Sequence, residues 1–231
     1  ALRRAETMIE EGADIIDVGG RSTALNAPPL SVSEERERVV LALRELEGCG
    51  LPLSLDTCRP EVLAAALHYD LAVVNDISGL AQPAYAKIAA DSGLPVIAMA
   101  AHAFPGDPLT MAETHAAMAE VLERADRWGI DELILDPGAG RWSEARTSEA
   151  DWELCRRFSE LKRYGCPLLA AVSRKKFIGD CLDKPAHERL YGSLAVVYHL
   201  MEQGADLLRV HDVGATKDFV RVFEQFKRDG I

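Results

Sequence analysis

Seven short apolar runs recur along the chain, and each ends in polar residues: ADIIDVGG (13–20), PLSLDT (52–57), AVVNDI (72–77), PVIAMA (95–100), ELILDPG (132–138), PLLAAVS (167–173) and DLLRVHD (206–212). Between them lie amphipathic stretches such as SVSEERERVVLALREL, PEVLAAALHY, TMAETHAAMAEVLERADRWG and GSLAVVYHLMEQGA. The short runs are apolar almost throughout, which reads as strands buried on both faces; the longer stretches read as helices. Alternation of the two predicts a parallel sheet covered on both sides. Ser31 or Ser33 ahead of Glu34 and Glu35 marks a helix start, and Pro60 suits a first helical turn. In EGAD (11–14) and QGAD (203–206) a glycine takes the left-handed conformation that ends a helix before a strand.

Seven such units, the first strand already preceded by a helix, predict an α/β fold of the (β/α)8 TIM-barrel type lacking its first β-strand in this chain. A doubly wound open sheet is the alternative, but GAGRWS (138–143) lacks the third glycine of a dinucleotide turn. No linker or low-complexity stretch divides the chain, so residues 1–231 read as one domain. The chain opens without an initiator Met and part-way into a helical pattern. Seven strands leave an open edge between the first and the last, and upstream residues are expected to supply the eighth.

The 231 residues are 48% hydrophobic and 27% charged, the proportions of an ordinary globular protein. With 26 Lys and Arg against 37 Asp and Glu, the net charge of −11 argues against a nucleic-acid or membrane partner. A small anion is still possible, because a few local cations can reverse the field inside one cleft. No apolar run approaches the roughly 18 residues of a membrane-spanning helix, and the charged N-terminal stretch has no signal-peptide core. Five cysteines, odd in number and without a CxxC pair, read as reduced thiols in a cytoplasmic protein.

In a barrel of this type the chemistry sits at the C-terminal ends of the strands. Those ends carry Asp17, Arg21, Ser22 and Thr23; Asp56 and Thr57; Asn75 and Asp76; Met99 and His102; Asp136; Ser173, Arg174 and Lys175; and Arg209, His211 and Asp212. Asp56 and Asp136 can only accept hydrogen bonds when ionised, Asn75 both donates and accepts, and Lys175 donates. That set suits a flat heterocycle bearing N–H donors and ring acceptors. Arg209 and His211, two apart on one strand, project to the same side and with the Thr23 hydroxyl make a cradle for phosphate or diphosphate. The plainer readings are loop caps for the two aspartates, a turn opener for Asn75-Asp76, and a loop role for His102. A solvated helix start is the plain reading of Arg174-Lys175, although cations suit that end of a helix poorly. The run EERER (34–38) reads as a solvated helix face with i, i+4 pairing, and Lys176 as surface.

Taken in order and spacing, IIDVGGRST, LSLDT, VVNDISG, LDPGAG, AVSRKKFIG and LRVHDV resemble dihydropteroate synthase, over about residues 8 to 216. The GRW and PGD segments resemble archaeal-type members. The resemblance implies a transferase of folate biosynthesis that condenses 7,8-dihydropterin-6-ylmethyl diphosphate with 4-aminobenzoate, or a related arylamine, to 7,8-dihydropteroate and diphosphate. It places Asp56, Asn75, Ile77, Met99, Asp136 and Lys175 around the pterin, and Thr23, Arg209 and His211 around the diphosphate. Ser173 and Arg141 fall beside the arylamine, and Lys175, Arg209, His211 and Asp56 form the catalytic set. It implies Mg2+ as the cofactor; the family's Asn ligand lies on the first strand, so no metal ligand is expected in this chain.

A homodimer is also implied, through segments 189–203 and 216–228 with Tyr191, Tyr198, Phe219 and Phe223, aromatics that could equally be ordinary packing. Departures from the family pattern are Ser22-Thr23-Ala24-Leu25 where S-T-R-P is usual, Arg141 where an aromatic is usual, and AAHAFPGDP in place of H-M-x-G-x-P. They leave the identity of the arylamine open. Two other functions compete: a pterin-binding methyltransferase domain serving a corrinoid protein, and a non-catalytic pterin-binding module. A methyltransferase has no use for a diphosphate cradle.

Overall fold

The computed structural model describes residues 2–23 and 27–227. Helix α1 (Leu2–Glu10) leads into β1 (Ile16–Gly19), after which helices and strands alternate. They are α2 (Val32–Leu46), β2 (Leu53–Asp56), α3 (Pro60–Ala66), β3 (Val73–Asp76), α4 (Pro83–Ser92), β4 (Val96–Met99), α5 (Met111–Trp128) and β5 (Leu133–Asp136). The second half adds α6 (Ser148–Arg156), β6 (Leu169–Ala170), α7 (Lys176–Leu182), α8 (Leu190–Glu202), β7 (Leu207–Leu208) and α9 (Val213–Lys227). Between Ser31 and Ser33, the structure chooses Ser31 as the cap of α2: its hydroxyl accepts from the Glu34 amide, and Glu34 reaches back to the Ser31 amide.

Strands β1 to β5 pair in parallel and in chain order, with Asp17 opposite Ser54, Asp56 opposite Asn75, and Asn75 opposite Ile97. A bridge between Leu135 and Leu168 carries the sheet on to β6, which pairs with β7. Seven parallel strands in sequence, each followed by a helix, are the layout of a (β/α)8 barrel. No pairing among the described residues joins β7 to β1, so the expected open edge lies there. Regular pairing covers only two residues in each of β6 and β7, against seven in each apolar run.

Alternation along each strand builds two cores. Leu55, Val74, Val96, Ala98, Leu135 and Ala170 face outward and join Val39, Leu43, Leu63, Tyr85, Met118 and Leu154 of the surrounding helices. Val73, Ile97 and Leu169 face inward and close the lower lumen with Ile134 and Leu207 against them. The next inward positions toward the C-terminal ends are Asn75, Asp136 and Arg209 on three strands and Met99 and Ala171 on the other two, so the apolar floor gives way to a partly polar mouth within two residues.

The EERER run corrects a sequence expectation. Glu34 is exposed, but Glu35 is only 1% exposed. Its carboxylate accepts from the Thr57 hydroxyl (2.7 Å) and lies 3.1 Å from Arg59 and 3.4 Å from Arg21. Its partners come from other segments, and a helix periodicity does not see them. All five cysteines are free thiols, and among the described residues no helix is long and apolar enough to cross a membrane.

Candidate active site

A cavity of about 1350 Å³ opens at the C-terminal ends of the strands, bordered by Asp17, Asn75, Ser173, Lys175, Arg209 and His211. It also reaches down between α1 and α9, past Met8, Val213 and Val220, because no strand separates β7 from β1.

Three acids and one guanidinium meet at this mouth, with Asp17 and Arg209 on the cavity wall. Arg209 donates from Nε to Asp17 Oδ2 (2.6 Å) and from Nη2 to Asp56 Oδ2 (2.5 Å). Asn75 donates from Nδ2 to the same Asp17 oxygen at 3.3 Å. Burial pushes the Asp56 carboxyl up to about 6; nearby Asp17 and Asp136 push the same way, and Arg209 opposes them. Asp136 is likewise raised by burial, against the Gly138 amide that donates to it at 2.8 Å and the charge of Lys175. Burial lowers Lys175, and Asp136 restrains the fall. Burial also penalises the Arg209 charge, but Asp17 and Asp56 outweigh it and hold the guanidinium protonated. Groups shifted in this way, gathered in one cleft, mark a working site.

The D-P-G-A-G turn after β5 makes room for Lys175. Gly140 sits at φ +123°, and a Cβ there would lie 2.9 Å from the Cδ and Nζ of Lys175. Gly138, at φ +75°, similarly brings the chain against Met99, where a Cβ would meet Cγ at 3.2 Å. Trp142 donates from its indole to the Gly138 carbonyl at 2.9 Å, and the Lys175 ammonium lies 5.0 Å from its ring centroid. Ile77, Met99 and Cys58 form a small apolar cluster against Trp142. Acids on one wall and this flat apolar surface on the other suit a planar polar ring.

The basic side is assembled from loops. Ser173 Oγ accepts from the His211 amide at 3.2 Å and lies 3.1 Å from His211 Nδ1. Burial, aided by the charge of Arg174, lowers the His211 pKa. Arg174, in the left-handed region at φ +59°, forks onto Asp212 through Nε and Nη2. Arg189 donates to the Arg174 carbonyl at 3.0 Å, tying this loop to the start of α8.

The structure thus brings Asp56, Asn75, Asp136, Lys175 and Arg209 to one mouth, with Ser173 and His211 beside them. Thr23 is exposed at the rim, while Ala24 and Leu25 lie outside the described residues. A second cavity of about 270 Å³, bordered by Arg21, Arg59 and Ile77, shares Thr23 and Trp142 with the larger one. Arg141 also borders the large cavity, but its guanidinium pairs with exposed Glu144 at 2.5 Å. His102 pairs with Glu120 of α5 at 2.7 Å and does not line the mouth. Sequence reasoning placed Asp17 at a strand end but gave it no role; the signal was its alternation with Ile16 and Val18, which turns it into the lumen. Among the described residues no group of three or more His, Cys, Asp or Glu side chains gathers where it could hold a metal ion.

Comparison with known proteins agrees with this geometry. The family model described as pterin binding enzyme matches residues 1–211. Dihydropteroate synthase of Synechocystis sp. is 37% identical over 99% of this chain and 82% of its own length. The enzyme of Escherichia coli is 37% identical over 97% of this chain and 82% of its own. The structure of Xanthomonas albilineans dihydropteroate synthase with 4-aminobenzoic acid superposes with a TM-score of 0.89 at 35% identity, covering 98% of this chain and 84% of that one. With acids, amide, lysine and arginine converging at the mouth of a pterin-binding barrel, the chain belongs to the pterin-binding enzyme family, as a dihydropteroate synthase.

Proposed function

We propose that this chain condenses 7,8-dihydropterin-6-ylmethyl diphosphate with 4-aminobenzoate or a close arylamine, and that its mouth residues divide the work by charge. The observation that carries this is the convergence of Asp56, Asn75, Asp136 and Lys175 with Arg209 at one mouth. Asp136 and Asp56 accept the amino and ring N–H groups of the pterin, Asn75 adds an amide contact, and Lys175 donates to a ring acceptor. Ile77 and Met99 pack under the ring. Arg209, His211 and Thr23 take the diphosphate. As the methylene C–O bond breaks, its electrons leave with the diphosphate, and Arg209 stabilises the developing charge. The arylamine nitrogen forms the new C–N bond, and the proton it loses leaves with the released diphosphate. Approach of the amine is a matter of placement beside Ser173, with Arg141 at the rim.

Mg2+ belongs to the proposal as a companion of the diphosphate. The described residues do not assemble a site for it, and no step is assigned to it here. The reading extends to a cytoplasmic homodimer. Tyr191 of α8 is 82% exposed, and Val222 (58%) and Phe226 (76%), four apart on α9, share one exposed apolar face, which favours a partner surface. Phe223, in contrast, is buried beneath Tyr198 and packs within the subunit.

The test is diphosphate release from dihydropterin diphosphate plus arylamine, with and without Mg2+. Release with 4-aminobenzoate supports the reading. Pterin binding without release leaves a non-catalytic module.

A further inference from the structure

Arg209 faces two carboxylates, and the proposed function leaves one of them without a task. Asp17 points into the lumen from β1 and, in register, neighbours Ser54 of β2, two residues below Asp56. Arg209 reaches both Asp17 and Asp56 from β7, across the one boundary where the described strands do not pair. The two contacts differ in kind. Asp17 holds Nε, at the base of the fork, whereas Asp56 holds a terminal Nη. Asp56 is also the acid proposed to accept from the pterin, so its pairing with Arg209 competes with the ligand.

We infer that Asp17 is a positioning residue that gives Arg209 a second carboxylate, so that when the pterin claims Asp56 the guanidinium stays paired and turns its freed edge to the anion. This rests on the proposed function and deepens it. A guanidinium released from Asp56 would otherwise keep no carboxylate partner in the mouth and would lose its orientation. With Asp17 on Nε it keeps one partner and its orientation, and the Nη groups can exchange Asp56 for phosphate oxygens. Asp17 also sets the amide of Asn75. One of the two Nδ2 hydrogens goes to Asp17, which fixes the plane in which the amide meets a ligand. Asp17 Oδ1 and Ser54 Oγ are both buried without a hydrogen-bond partner among the described residues. Arg209 is therefore the only cationic partner the structure shows for Asp17.

The test is a double-mutant cycle read in pterin binding. Asp17→Asn keeps the shape and an acceptor for Asn75 but removes the charge that retains Arg209, which then closes on Asp56. Affinity for 6-hydroxymethylpterin, which carries no diphosphate, should fall about tenfold in Asp17→Asn. In an Arg209→Ala background Asp56 has no competitor, and the same substitution should change affinity less than twofold. Ser54→Ala, a perturbation at the adjoining position, should leave binding unchanged. Equal losses in both backgrounds, or no loss in either, overturn the inference, because a merely structural Asp17 would act regardless of Arg209. The ligand-free thermal midpoints of the four proteins must show the same coupling, and additive midpoints also overturn it. Failure of the wild type to bind pterin or release diphosphate would instead count against the proposed function, and the thermal cycle would still judge the inference.

Discussion

The two halves of the active-site mouth are built differently. Asp17, Asp56, Asn75 and Asp136 stand on the continuous ladder of β1 to β5, where every strand but the first is paired on both sides. Ser173, Lys175, Arg209 and His211 stand at or beyond the ends of β6 and β7, which pair over only two residues. The acid half needs no further support. The basic half is tied by an ion pair and side-chain-to-backbone bonds: Arg174 to Asp212, Arg189 to the Arg174 carbonyl, and the His211 amide to the Ser173 hydroxyl. The groups proposed to recognise the ring thus stand on a ladder, and those proposed to meet the departing anion stand beyond it on loops.

Arg209→Ala breaks the basic half most severely. Turnover of dihydropterin diphosphate should drop about 100-fold or more while pterin affinity stays within a few-fold, read as kcat against a binding isotherm. Small and equal changes in both would remove Arg209 from the leaving-group role.

Gly140→Ala tests the junction of the halves, since its Cβ would strike Lys175 and sits at a φ that L residues avoid. A loss of about 2 kcal/mol in denaturant unfolding is expected, together with weaker pterin binding.

On the acid half, Asp56 should make pterin binding pH-dependent. With its carboxyl at about 6, affinity should fall nearly tenfold per unit as pH drops below that point, and Asp56→Asn should abolish this limb. The sign for stability is opposite. A carboxyl raised in the folded state above its ordinary value of 3.8 binds its proton more readily when folded. Its contribution therefore destabilises the fold above about pH 6, and that penalty is relieved as pH falls toward 3.8.

Asp212→Asn loosens one stitch of the basic half. The pair is partly exposed, with side chains 32% and 21% accessible, so stability should change by less than about 1 kcal/mol. KM for the diphosphate substrate should rise a few-fold with the arylamine KM unchanged.

The strand ends that carry Asp56, Asn75, Asp136, Lys175, Arg209 and His211 were legible because an apolar run followed by a polar residue marks where a buried strand emerges. The helix start at Ser31 was legible for a similar reason, since a capping box lies within four residues of chain. Glu35 was misread, because its burial depends on Thr57, Arg59 and Arg21 arriving from elsewhere. His102 stayed undecided until the structure paired it with Glu120, 18 residues away. Asp17 was visible as a residue but not as a partner, since its bond to Arg209 spans 192 positions.

The chain alone therefore determined the alternation of strands and helices, the barrel class and the polar identity of the rim, all of which follow from local periodicity and burial. Tertiary structure decided which acid holds which base, which half of the mouth stands on a continuous ladder, and where the described strands stay unpaired. Those depend on distances between residues far apart in sequence, and only packing sets such distances.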